Sequence, residues 1–79
     1  MENSKLSVAE IMGYNLAHER KKAKITQEEL ADILGVSART IQNYEKGKGL
    51  DAVLIYDLSQ IFQCNILDFY FGTESTKWR

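Results

Sequence analysis

An all-α domain of five short helices is predicted by three features of this 79-residue chain. It contains no proline, so no helix interior is broken by a missing amide. Apolar residues recur at three- and four-residue spacing, the helical period, with no strand-like alternation. Each of these runs follows a Ser, Thr, Asp or Asn that can cap a helix N-terminus.

Ser7-Val8-Ala9-Glu10 has the form of a capping box, in which the Ser7 hydroxyl takes an orphan amide and Glu10 reaches back to the cap. Val8, Ile11, Met12 and Leu16 then form the apolar stripe of a first helix, from about residue 8 to 22. Thr26-Gln27-Glu28-Glu29 is a second capping box, opening a helix to about Leu34 with Leu30, Ala31, Ile33 and Leu34 on its inner side. Gly35 follows, where a helix end favours the left-handed conformation. Val36 is placed to plug the corner, and Ser37 caps a third helix that runs to about Lys46 and stops at Gly47-Lys48-Gly49. Asp51 caps a fourth helix carrying Leu54, Ile55, Leu58, Ile61 and Phe62. Asn65 caps a short fifth with Ile66, Leu67, Phe69 and Tyr70, ended by Gly72. The expected division is a flexible N-terminus over 1–6, one domain over 7–72 and a tail over 73–79.

A chain of this length holds one core. One cysteine, Cys64, excludes an intramolecular disulfide, and with His18 as the lone histidine there is no zinc set. No apolar run approaches the roughly 20 residues of a membrane span, and no signal-peptide pattern opens the chain. A reducing, cytoplasmic setting is therefore expected. The formal net charge of −1 does not mark a nucleic-acid binder, but the charges are unevenly placed. Arg20, Lys21, Lys22, Lys24, Arg39, Lys46 and Lys48 fall in the middle of the chain, with Glu28, Glu29, Asp32 and Glu45 among them. Any basic face must come from folding.

The most informative stretch is TQEELADILGVSARTIQNYE, residues 26–45. It reads as a helix, a tight turn and a second helix. Ala31 and Gly35 stand where close packing needs small side chains. Arg39, Gln42 and Asn43 point away from apolar Ile41 and Tyr44. The product is a narrow wedge of the width that enters a DNA major groove. No nucleophile–base pair, metal set or phosphate-cradling glycine loop accompanies it, so neither an enzyme nor a cofactor is expected. His18 reads as a surface residue and Cys64 as a small apolar one.

From about Met12 to Phe71 the chain resembles the Cro/CI-type helix-turn-helix family, also called XRE or lambda-repressor-like. The resemblance rests on Gly13, Leu16 and Arg20 in the first helix, TQEELA at 26–31, LGVS at 34–37 and TIQNYEKGK at 40–48. Two further helices follow at the family's spacing. Three departures stand out. The loop after Lys48 is about one residue short and lacks the common proline. Glu19 stands where many relatives carry an apolar residue, and Lys24 where glycine or asparagine is frequent, in a turn that strains other residues.

The resemblance implies a five-helix lambda-repressor-like fold and a set of DNA contacts. Ala38, Arg39, Gln42 and Asn43 share the outer face of the third helix and are the candidate base contacts. Arg39 can pair bidentately with guanine. Asn43 suits adenine or a phosphate, Ala38 suits a thymine methyl, and Gln42 fits a base contact and a solvated face equally well. Thr26, Gln27, Ser37, Lys46, Gly47 and Lys48 are the candidate phosphate contacts, Gln27 beside a positive helix N-terminus. Lys21, Lys22 and Lys24 read as solubilising or steering charges. The family pattern also pairs Arg20 with Glu45, a structural ion pair fixing the third helix to the first.

Phe69, Tyr70, Phe71 and Trp78 crowd the last eleven residues. A helix of six or seven residues cannot bury all of them, so a surplus patch is expected. The resemblance, to a family whose members often dimerise through C-terminal elements, implies that it forms a homodimer interface. A two-fold dimer sets two copies of the third helix about 34–36 Å apart, matching a palindromic site. The expected function is a sequence-specific double-stranded DNA-binding regulator of transcription, a repressor of the phage or mobile-element kind. The rival from another class is a protein-interaction module, or an autoregulating antitoxin, that keeps the fold.

Overall fold

The computed structural model describes residues 6–71, and within them the chain is all-helical. The helices are α1 (Val8–Lys22), α2 (Gln27–Leu34), α3 (Ala38–Glu45), α4 (Ala52–Phe62) and α5 (Asp68–Phe71). Both capping boxes form. Ser7 Oγ accepts the Glu10 amide at 3.0 Å while Glu10 Oε1 accepts the Ser7 amide at 2.8 Å. Thr26 and Glu29 repeat the exchange at 3.0 and 2.8 Å. Ser37 Oγ accepts the Thr40 amide at 3.1 Å and Asp51 Oδ1 the Leu54 amide at 2.8 Å. Each bond satisfies an amide that the helix itself leaves orphaned.

The first four helices end alike, in Schellman turns. Lys24 (φ 62°), Gly35 (φ 73°), Gly47 (φ 88°) and Gln63 (φ 54°) take the left-handed conformation. The following amides close the turn: Ile25 to Arg20 O at 3.3 Å, Val36 to Ala31 O at 3.0 Å, Lys48 to Asn43 O at 2.9 Å and Cys64 to Ser59 O at 3.0 Å. Ile25, Val36 and Cys64 pack on the core and pin their helix ends inward. The matching residue after α3 is Lys48, which is exposed, so here the closing position carries a charge in place of an apolar plug. Lys24 and Gln63 bear a left-handed strain that glycine escapes. Gln63→Gly is therefore expected to stabilise the domain by about 0.5–1 kcal/mol after glycine's larger unfolded-state entropy is subtracted. A raised urea midpoint at unchanged slope is the readout, and a lowered midpoint would show that the turn carries no strain.

Each helix contributes to a single core. Met12 and Leu16 come from α1, Leu30 and Ala31 from α2, Ile41 from α3, Ile55 and Leu58 from α4, and Phe69 from α5. Buried Asn15 donates through Nδ2 to Phe69 O at 2.8 Å, tying α5 to α1. Cys64 is half-buried at the rim. Burial first, then the nearby Glu19 and Asp68 carboxylates, pushes its thiol up to about 11, which keeps it neutral.

Several expectations are corrected. Val8 is 60 % exposed, because the loop over the first turn of α1 lies against Ala9 and Glu10 instead. Ile33 is 55 % exposed. Leu30, Ala31 and Leu34 share an arc of about 100° around α2, and Ile33 falls outside it. The third helix ends at Glu45, with Lys46 as its cap. The fifth has only four residues. Asn65 Oδ1 takes the Leu67 amide at 2.9 Å. The Asp68, Phe69 and Tyr70 amides bond three residues back, at 2.8, 3.2 and 3.0 Å. The segment before α5 is thus wound as tighter 3₁₀-type turns. Phe69 is wholly buried, which removes it from any surface between folded domains. Tyr70 and Phe71 are exposed, while Gly72 and Trp78 lie outside the described residues. Glu19 is buried, and Lys22 Nζ lies 3.4 Å from its carboxylate.

Candidate nucleic-acid interface

α2 and α3 meet across the turn at Gly35–Ser37. Leu30, Ala31 and Ile41 are buried behind it, and Val36 packs into the corner. Outside, Arg39 and Gln42 are exposed and Ala38 and Asn43 half-exposed. Among the described residues, none bonds to the side chains of Arg39, Gln42 or Asn43. These polar groups are thus unspent and lie on one face of a helix fixed from behind.

Three backbone and side-chain contacts fix it. A Cβ on Gly13 would stand 2.6 Å from Gly47 N, 2.6 Å from Tyr44 O and 2.7 Å from Glu45 O. A Cβ on Gly47 would stand 2.7 Å from Ala9 O. Two glycines thus let α1 lie directly on the end of α3. Beside them Arg20 Nε donates to Glu45 Oε2 at 2.6 Å, Arg20 Nη2 to Glu45 Oε1 at 3.3 Å and Arg20 Nη1 to Ile25 O at 2.9 Å. Both side chains of this pair are 10 % exposed. Gln27 Nε2 completes the group, donating to Glu45 Oε1 at 3.0 Å. One carboxylate therefore joins α1, α2 and α3.

The remaining candidates divide by what their atoms already do. The Thr26 hydroxyl accepts a cap bond and keeps its own proton to donate. The Ser37 hydroxyl caps Thr40 and shares a bond with the Thr40 hydroxyl at 2.9 Å. The Gly47 amide, read as a phosphate donor, is taken by Tyr44 O at 2.9 Å. The Lys48 amide is taken as well, whereas the side chains of Lys46 and Lys48 are exposed. Sequence reasoning missed Asn15, the packing reason for Gly13 and the bond from Gln27 to Glu45. The last joins residues 18 positions apart, so no local pattern could have signalled it.

A small all-α domain whose turn-linked second and third helices expose an unspent polar face defines a helix-turn-helix protein. The helix-turn-helix family model HTH_3 matches residues 16–69, and the chain belongs to this XRE-type helix-turn-helix family. It is also similar to an uncharacterized HTH-type transcriptional regulator of Archaeoglobus fulgidus. The two are 38 % identical over 60 residues, covering 75 % of this chain and 84 % of the relative. No solved structure matches the chain significantly. Among the described residues no helix is long and apolar enough to cross a membrane.

Proposed function

We propose that the chain is a sequence-specific double-stranded DNA-binding regulator of transcription, acting as a repressor with α3 inserted in the major groove. The observation that carries this reading is the unspent face of Arg39, Gln42 and Asn43 on a helix braced by α1 and α2. Arg39 and Asn43 read bases, with Ala38 and Gln42 beside them. Thr26, Gln27, Ser37 and the ammonium groups of Lys46 and Lys48 hold phosphates. Because the Gly47 amide is already bonded, contact at that loop falls to the lysines. Occupying an operator is enough to repress, and needs no catalytic group.

One such domain covers little DNA and binds weakly, so a homodimer on a palindromic operator is part of the proposal. Tyr70 and Phe71 on α5 are its candidate surface, with Trp78 outside the described residues. Light scattering tests it, and a monomer at all accessible concentrations would refute it. The competing reading, a protein-interaction module, draws on the net charge of −1 and on exposed Val53 and Tyr56 of α4.

Selection of bound sites from a random duplex pool, followed by titration across salt concentrations, separates the two. Arg39→Ala is expected to relax sequence preference by about 1–3 kcal/mol. Lys48→Ala is expected to weaken all sequences alike and flatten the salt slope by about one. No complex even at low salt would sink DNA binding altogether.

A further inference from the structure

A carboxylate beside a phosphate-binding face is a liability unless it does something there, and Glu45 is such a carboxylate. Its Oε1 accepts from Gln27 Nε2 at 3.0 Å, and Arg20 bonds both its oxygens. We propose that Glu45 is a positioning residue for Gln27, so that removing this negative charge weakens DNA binding instead of strengthening it. The proposal rests on the reading of Gln27 as a phosphate contact.

The physical reason lies in the two ends of the amide. A carboxylate only accepts hydrogen bonds, so the nitrogen of Gln27, never its oxygen, can face Glu45. The second N–H, on the other edge of the same planar nitrogen, then points away from Glu45 as a free donor. Gln27 is half-exposed, so that donor can reach solvent or a phosphate oxygen. Arg20 cancels the charge of the carboxylate, which orients the amide without repelling the ligand. A glutamine at position 45 offers both a carbonyl and an amino group. It accepts either sense of the Gln27 amide and leaves Arg20 without its counter-charge.

Three explanations for Glu45 give different results. As a repulsive charge alone, its removal by Glu45→Gln tightens binding. As a brace for the fold alone, its removal lowers affinity by the same factor whether or not Gln27 is present. As a positioning residue, its effect vanishes once Gln27 is gone. The test is fluorescence anisotropy with a labelled duplex over a salt series, for wild type, Gln27→Ala, Glu45→Gln and the double variant. All are measured well below their melting temperatures. Gln27→Ala is expected to weaken binding about five- to tenfold, the worth of one hydrogen bond. Its salt slope stays unchanged, because a neutral amide releases no counterion. Glu45→Gln is expected to weaken binding by a similar factor, and the double variant to bind no worse than Gln27→Ala. Wild-type-like or tighter binding by Glu45→Gln, or losses that multiply, overturns the proposal.

Absence of salt-dependent binding by the wild type would instead defeat the functional reading on which the proposal stands. A measurement on the free wild-type protein keeps the two apart and does not depend on Glu45→Gln folding. By NMR the side-chain NH₂ of Gln27 is expected to be nearly as rigid as the backbone. If it is as mobile as that of exposed Gln63, Glu45 does not orient it.

Discussion

Gly13→Ala is expected to destabilise the domain by about 2–3 kcal/mol, the cost of forcing a methyl group into a closed contact. Helix propensity alone predicts the opposite sign, since alanine is better than glycine inside a helix by about 1 kcal/mol. The contact decides, because the new Cβ would lie within 2.7 Å of Gly47 N, Tyr44 O and Glu45 O. All three are backbone atoms, so no side chain can rotate aside. α1 would have to lift from the end of α3, parting from Glu45 and the Lys46–Lys48 loop. For a domain of this size the melting temperature should fall by roughly 10–20 °C. An unchanged or raised melting temperature would show that the two helices do not approach this closely.

Arg20→Ala is expected to cost about 3–5 kcal/mol, as for a buried pair that loses one member. Were the pair solvated, the loss would stay below about 1 kcal/mol. The larger figure applies because each side chain is only 10 % exposed and because Arg20 also serves Ile25 O. Against a total of about 4–12 kcal/mol for a chain of this length, such a loss removes from about a quarter to all of the stability. Replacing both members, Arg20→Leu with Glu45→Met, should recover much of the stability, since no buried charge is then left unpaired. Denaturant melts of the single and double variants check this. A single-variant loss under 1 kcal/mol would assign the pair to the surface.

The elements that chain-local chemistry specifies were legible in the sequence. The capping boxes at Ser7 and Thr26 and the glycine turn at Gly35 each depend on atoms within five residues of one another. The family pattern also led to Arg20 and Glu45, which the fold places in contact. Other expectations failed where the deciding neighbour was distant. Val8 carries the right residue type at the right spacing, yet the loop around Gly47 covers Ala9. The aromatic cluster shows the same limit. Composition predicted a surplus, but only packing assigned Phe69 to the interior and Tyr70 to the surface. At α5 the side chain of Asn65, bonding the Leu67 amide, displaced the first turn of the expected helix.

For the candidate interface, the sequence was enough to locate the wedge and the outer face of α3, because helical periodicity fixes which residues share a side. It could not tell which polar atoms on that face are already occupied. The Gly47 amide looked available and is bonded to Tyr44 O, while Gln27, read as a phosphate contact, has one of its N–H groups held by Glu45. The spacing of residues along one helix is set by covalent geometry and can be read from the chain. Whether the Gln27 donor is spent depends on groups that folding brings together from three helices, so that information exists only in the packed structure.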